Sequence, residues 1–146
     1  MSDNKNEEIE QAELPVIPRF LTAESIEELR NNIVKIIVEQ KKYLQNNYGA
    51  KDLCKELGVQ PRYVSAVIRI ALKTNYSGLI NSHRIAMACD YLMDAQYARL
   101  TMEEIGLLVG YESRQAFYLA FKKIQKMSPR RYQETRRTKG IVDNEK

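Results

Sequence analysis

Glycine and proline are scarce, six and four among 146 residues, which argues against a turn-rich sheet fold. Ala, Leu, Ile, Glu, Lys and Arg dominate instead and favour helices. There is one histidine, His83, and no phosphate-cradling glycine loop. No convergent acid, base and nucleophile set can be assembled from that inventory, so an enzyme is not expected. The two cysteines, Cys54 and Cys89, stand apart and lack zinc spacing with His83, so neither a metal nor another cofactor is expected, and a reducing, cytoplasmic setting is. No apolar stretch of about 20 residues and no secretory pattern occurs at the N-terminus, so no membrane association is expected.

What is present is an ordinary core composition, 44% hydrophobic, enough for one domain or for two small subdomains sharing a helix. Charge is unevenly placed. The first eighteen residues hold Lys5 against Asp3, Glu7, Glu8, Glu10 and Glu13, net −4 against an overall +4, which leaves +8 for residues 19–146. A basic balance of that size suits a polyanion, because Lys and Arg displace counterions condensed on a phosphate backbone. The arrangement of the charges has to decide whether that polyanion is DNA.

Residues 1–20 read as an acidic, disordered tail, with Pro15 and Pro18 preventing a helix from running through. Residues 21–46 read as an N-terminal amphipathic helix, with Ile26, Leu29, Ile33, Ile36, Ile37, Tyr43 and Leu44 on one stripe. It ends near Asn46-Asn47-Tyr48-Gly49 and serves as a core helix or as an interaction surface. Residues 47–136 hold the main domain, divided into a first unit at 50–72, a linker helix at 77–94, a second unit at 101–124 and a final short helix at 128–136. Residues 137–146 read as a basic-polar tail. Ser77, Thr101 with Glu104, Ser113 and Ser128-Pro129 are the helix-start signals, and Pro61 fits a first helical position.

The two units repeat one pattern. A shift of 52 carries Leu53 to Ile105, Cys54 to Gly106, Leu57 to Val109 and Gly58 to Gly110; beyond the turn, a shift of 53 carries Val64 to Phe117 and Ile68 to Phe121. In a helix-turn-helix, two helices cross steeply through a short turn that needs a residue tolerant of positive φ, which Gly58 and Gly110 supply. The first helix must also be small where the second crosses it, and Cys54 and Gly106 stand at matching places. An arbitrary helical hairpin explains one such unit; two in register argue for duplicated helix-turn-helix units. The expected fold is therefore all-α and homeodomain-like, with two helix-turn-helix subdomains joined by a long linker helix and an extra N-terminal helix.

Ile105-Gly106-Leu107-Leu108-Val109-Gly110-Tyr111-Glu112-Ser113, then Phe117, Phe121-Lys122-Lys123 and Ser128-Pro129-Arg130-Arg131-Tyr132, resemble the signature of the AraC/XylS family of transcription regulators. Leu53 to Gly58, Pro61-Arg62-Tyr63-Val64-Ser65, and Asn81 with Arg84-Ile85 before Ala88 are similar to that family's first unit and linker helix. The resemblance spans roughly residues 45–136. It implies seven helices in two subdomains, with both recognition helices entering successive major grooves of bent double-stranded DNA. It thus implies a sequence-specific DNA-binding regulator at the bacterial nucleoid.

Carried over by position, the base-reading candidates are Arg62, Ser65, Ala66 and Arg69 in the first unit and Arg114, Gln115, Tyr118 and Leu119 in the second. Arg can grip guanine O6 and N7 together, Gln can pair with adenine, and Ser or Tyr can reach a base or phosphate. Ala66 and Leu119 depart from the family, which often has Arg there; both become candidates for thymine methyls, or mark weaker specificity. The backbone candidates are Lys51, Lys73, Lys122, Lys123, Arg130, Arg131, Arg136 and Arg137, with the helix start at Thr101. The 44 residues before the resemblance are too few for the usual sensor, so no small-molecule ligand is expected. RNA polymerase or another regulator is a candidate partner through the N-terminal helix. Two tandem readers let a monomer suffice, with weak dimerisation as the other possibility. A second reading keeps the fold but acts through protein contacts, as an adaptor or antagonist.

Overall fold

The computed structural model describes residues 21–144, with side-chain surroundings given through Arg137. The acidic tail expected at 1–20 lies outside the described residues. Among the described residues seven α-helices follow one another: α1 (Ala23–Val34), α2 (Ala50–Leu57), α3 (Pro61–Leu72), α4 (Tyr76–Met93), α5 (Met102–Leu108), α6 (Arg114–Gln125) and α7 (Pro129–Asn144). No strand occurs among the described residues. The fold is all-α, which the glycine-poor composition favours.

The helices form two compact units, one from the chain up to Glu39 with Gly49–Leu79, the other from Gln40–Tyr48 with Ile80 onward. In the first, α1 supplies Leu29 and Ile33, α2 Leu53 and Cys54, and α3 Val64, Ala66, Val67 and Ile68, all buried. In the second, Ile85, Ala88, Cys89 and Leu92 of α4 enclose a core with Ile105, Val109, Tyr111, Phe117 and Phe121. Phe121 meets Tyr132 of α7 edge-on at 5.6 Å, and Gln133 Nε2 donates to the Leu92 carbonyl at 2.9 Å, which pins the start of α7. Both cysteines are free and buried; burial pushes each thiol pKa up and keeps it protonated.

The helix expected over 21–46 is broken. It ends as an α-helix at Val34 and widens into a π-turn at Lys35–Glu39. The chain then turns at Lys41, whose φ of 57° is left-handed, and closes with a 3₁₀ turn at Lys42–Leu44. A tertiary contact holds the turned segment. Arg84 Nε donates to the Tyr43 carbonyl, and its Nη2 donates to the Gln45 carbonyl at 3.0 Å. The guanidinium thus ties the turn after the break to the linker helix, and the Gln45 carbonyl also accepts from the Tyr48 N–H at 3.4 Å.

Other boundaries move for local reasons. The linker helix starts at Tyr76, because Asn75 Oδ1, not Ser77, caps it by accepting from the Gly78 N–H at 2.7 Å. The last helix starts where Ser128-Pro129 predicts, with Ser128 Oγ accepting from the Arg131 N–H at 3.2 Å. It continues to Asn144, well past 136, since nothing in Gln133 to Lys139 stops a helix.

Candidate nucleic-acid interface

Each unit contains two short helices joined by a tight turn. Gly58 closes α2 in the left-handed region, with φ of 66°, and Gln60 with Pro61 opens α3 without a side-chain cap. In the second unit, the Thr101 hydroxyl accepts from the Glu104 N–H at 3.1 Å while the Thr101 N–H donates to the Glu104 carboxylate at 2.9 Å. Gly110 turns with φ of 105°, and Ser113 Oγ caps α6 through the Ala116 N–H at 3.1 Å. The first unit has half of that device: Asp52 accepts from the Gly49 N–H at 2.7 Å, but Gly49 has no side chain to return the bond.

Two close approaches set the crossings in the second unit. A Cβ on Gly106 would lie 3.0 Å from the Cβ, Cγ and Cδ2 of Phe117, so α5 and α6 meet with hydrogen against ring. In the first unit the equivalent positions are Cys54 and Val64, a larger residue facing a smaller one. A Cβ on Gly110 would stand 2.9 Å from Arg84 Nε and from the Tyr43 and Leu44 carbonyls. The second turn thus packs against the same guanidinium that bonds the Tyr43 and Gln45 carbonyls. Arg84 also stacks 5.1 Å from the Tyr111 ring, and the Tyr111 hydroxyl donates to Asn81 at 2.6 Å. Desolvation pushes the Tyr111 phenol up to about 12, against the opposing pull of Arg84.

With the turns fixed, the outward faces of α3 and α6 are defined. On α3, Arg62, Ser65 and Arg69 are exposed, at spacings of three and four that place them on one stripe. Lys73 continues it as the left-handed cap, φ 57°, and with Arg69, Thr74 and Asn75 it lines a depression of about 410 Å³. Ala66 does not join this surface. It is 6% exposed, among the buried Val64, Val67 and Ile68, because α3 packs on both α1 and α2 and a lone methyl cannot rise out of that contact. This corrects the expectation that Ala66 reads a base.

On α6, Arg114, Gln115, Leu119, Lys122 and Lys123 are exposed and Tyr118 is half-buried. Arg114 and Tyr118 share a depression of about 380 Å³ with Thr101, Glu103 and Arg130, so two base-reading candidates and two backbone candidates come together. Thr101 spends its N–H on the cap and accepts there through its hydroxyl, and the exposed Arg130 lines the depression beside it. Lys51, Arg131, Arg136 and Arg137 are exposed, with Arg136 stacked on Tyr132 at 5.2 Å.

The leading arginines of both helices rest on tyrosines. Arg62 lies 4.8 Å over the Tyr63 ring and donates to its hydroxyl at 3.1 Å. Arg114 lies 4.9 Å over Tyr118 and donates to its hydroxyl at 3.3 Å. One residue escaped the sequence reading: Lys126, exposed, caps α6 in the left-handed region with φ of 62°. The shift of 53 that relates the recognition helices carries Lys73 onto it and was the signal available. His83 belongs to the packing, its ring 5.5 Å from Tyr43, and burial lowers its pKa. Among the described residues no three His, Cys, Asp or Glu side chains converge as metal ligands, and no helix is long and apolar enough to cross a membrane.

Comparison with known proteins agrees with this geometry. Residues 53–135 match a family described as a helix-turn-helix domain. A helix-turn-helix-type transcriptional regulator of Bacillus subtilis, YtdP, is 23% identical over 110 residues, 75% of this chain. The chain spans only 14% of that relative's length. Among solved structures, the C-terminal domain of AraT, a response regulator from Geobacillus stearothermophilus, is 28% identical with a TM-score of 0.63, covering 75% of this chain and 84% of that one. An AraC-type transcriptional regulator from Chromobacterium violaceum shares the fold at 17% identity and a TM-score of 0.64, over 75% of this chain and 96% of that one. With two tandem helix-turn-helix units, a shared linker helix and a family match over more than half its length, the chain belongs to the AraC/XylS-type helix-turn-helix family.

Proposed function

We propose that this chain is a sequence-specific DNA-binding transcription regulator that places α3 and α6 in successive major grooves. The family is one of DNA-binding regulator domains and not an enzyme class. The observation that carries the finer reading is what the two recognition helices share: each opens with an exposed arginine laid on a tyrosine, at positions the shift of 53 does not align, and each ends in a cation one turn before a left-handed lysine, at positions it does. Arg62 and Arg114 read guanine edges, Ser65, Arg69, Gln115 and Tyr118 support them, and Lys51, Lys73, Lys122, Lys123, Lys126, Arg130, Arg131, Arg136 and Arg137 supply backbone contacts.

A single chain carries both readers, so it acts as a monomer on an asymmetric site. α1 is first of all a core helix, with Leu29 and Ile33 buried; its exposed Glu24, Glu27, Glu28 and Arg30 are what it offers RNA polymerase or another regulator. Selection of bound sequences from a pool of random duplexes at two salt concentrations tests the reading. Two sequence blocks about one helical turn apart are expected, with about six phosphate contacts lowering affinity around a thousandfold between 50 and 200 mM salt. Retention without a motif would reduce the function to backbone binding. No retention would favour the adaptor reading.

A further inference from the structure

The two recognition helices are not equivalent where the repeat would make them so. A shift of 53 carries Ala66 onto Leu119, yet Ala66 is 6% exposed and Leu119 is 66% exposed, the most exposed large apolar side chain among the described residues. Leu119 stands two residues from both Phe117 and Phe121, the residues α6 buries, and two residues is about 200° of helix. It therefore lies opposite the core. One turn before it is Gln115 and one turn after it are Lys122 and Lys123, all exposed. A bare leucine in the middle of a strip of amide and cations has no packing role in the folded unit. It has an evident one against duplex DNA, where cations meet phosphates and the one apolar group offered by a base edge in the major groove is the C5 methyl of thymine.

We infer that Leu119 reads a thymine methyl and that the second unit alone makes this contact. The inference rests on the base-reading role given to α6 above, and it gives the chain a built-in asymmetry. The first unit reads through hydrogen-bonding groups only; the second adds an apolar contact that distinguishes thymine from cytosine and from uracil.

The test uses the intact protein and the duplex it selects. The block read by α6 is first assigned as the one whose base preferences relax in Arg114→Ala. Each thymine in the duplex is then replaced singly by uracil, which removes the methyl and keeps the pairing. One replacement in the α6 block is expected to weaken wild-type binding about fourfold, the worth of one methyl-sized apolar contact. Leu119→Ala is expected to bind the thymine and uracil duplexes equally, while melting at the wild-type temperature because the side chain is exposed. Uracil replacements in the other block are expected to respond identically in wild type and Leu119→Ala. A selected site whose α6 block contains no thymine, or whose thymines all tolerate uracil, overturns the inference while leaving the two-reader function intact. Failure to select any site overturns the function itself.

Discussion

Gly110 carries two separate constraints, and the comparison with Gly58 separates them. Both have positive φ, but a Cβ on Gly58 meets nothing within 4 Å, whereas one on Gly110 meets Arg84 and two carbonyls at 2.9 Å. Gly58→Ala should therefore cost only the left-handed backbone term, about 1 kcal/mol. Gly110→Ala adds a collision with backbone that cannot move aside, and should cost more than about 2 kcal/mol. Urea unfolding of the two variants checks the order; equal losses would mean that the Arg84 contact does not hold the turn. His83 gives a test in pH. Its pKa is lowered by burial, so its contribution to stability is complete above about pH 6.5, the unfolded value, and is lost as the pH falls from there through the folded value. Wild type should lose stability relative to His83→Gln between pH 7 and 5. As the one histidine in the chain, its imidazole NMR signal should titrate below 6.5; a midpoint at or above that value contradicts the half-buried placement against Tyr43.

At the scale of elements, the ends of the recognition helices matter as much as their starts. Lys73 and Lys126 both adopt left-handed backbone at the C-cap, and Arg69 and Lys122 precede each by one turn. Lys126→Gln should weaken binding to every duplex alike and lower the slope of log affinity against log salt by about 1; an unchanged slope would remove Lys126 from the interface. Much of this layer was legible from the chain. The duplicated turn follows from glycines repeated at a fixed interval, and the Thr101–Glu104 box, the Ser113 cap and the outward Arg62 and Arg114 follow from local chemistry around it. The break in the N-terminal helix was not legible, because the stripe from Ile26 to Leu44 fits a helix throughout and the contact that holds the turned segment comes from Arg84, about forty residues away. Ser77 was a reasonable cap, but Asn75, two residues earlier, forms the bond. Ala66 shares its repeat position with Leu119, and its burial comes from what packs around α3, which no periodicity encodes.

At the scale of the whole molecule, the chain combines two small cores, each sufficient to position one recognition helix, with a positive balance concentrated outside the acidic first eighteen residues. That division is what an asymmetric DNA reader needs: affinity from many cations acting on any sequence, and specificity from a few side chains on each of two helices. The central claim is that these two sets of side chains read different base pairs. The most direct measurement is the binding of Arg62→Ala and Arg114→Ala to the selected duplex and to versions mutated in one block at a time. The account predicts that each variant loses about 1–3 kcal/mol on the intact site and becomes indifferent to a different block, the two lying about one helical turn apart. Loss of preference in the same block, or an equal loss on every sequence, would contradict it.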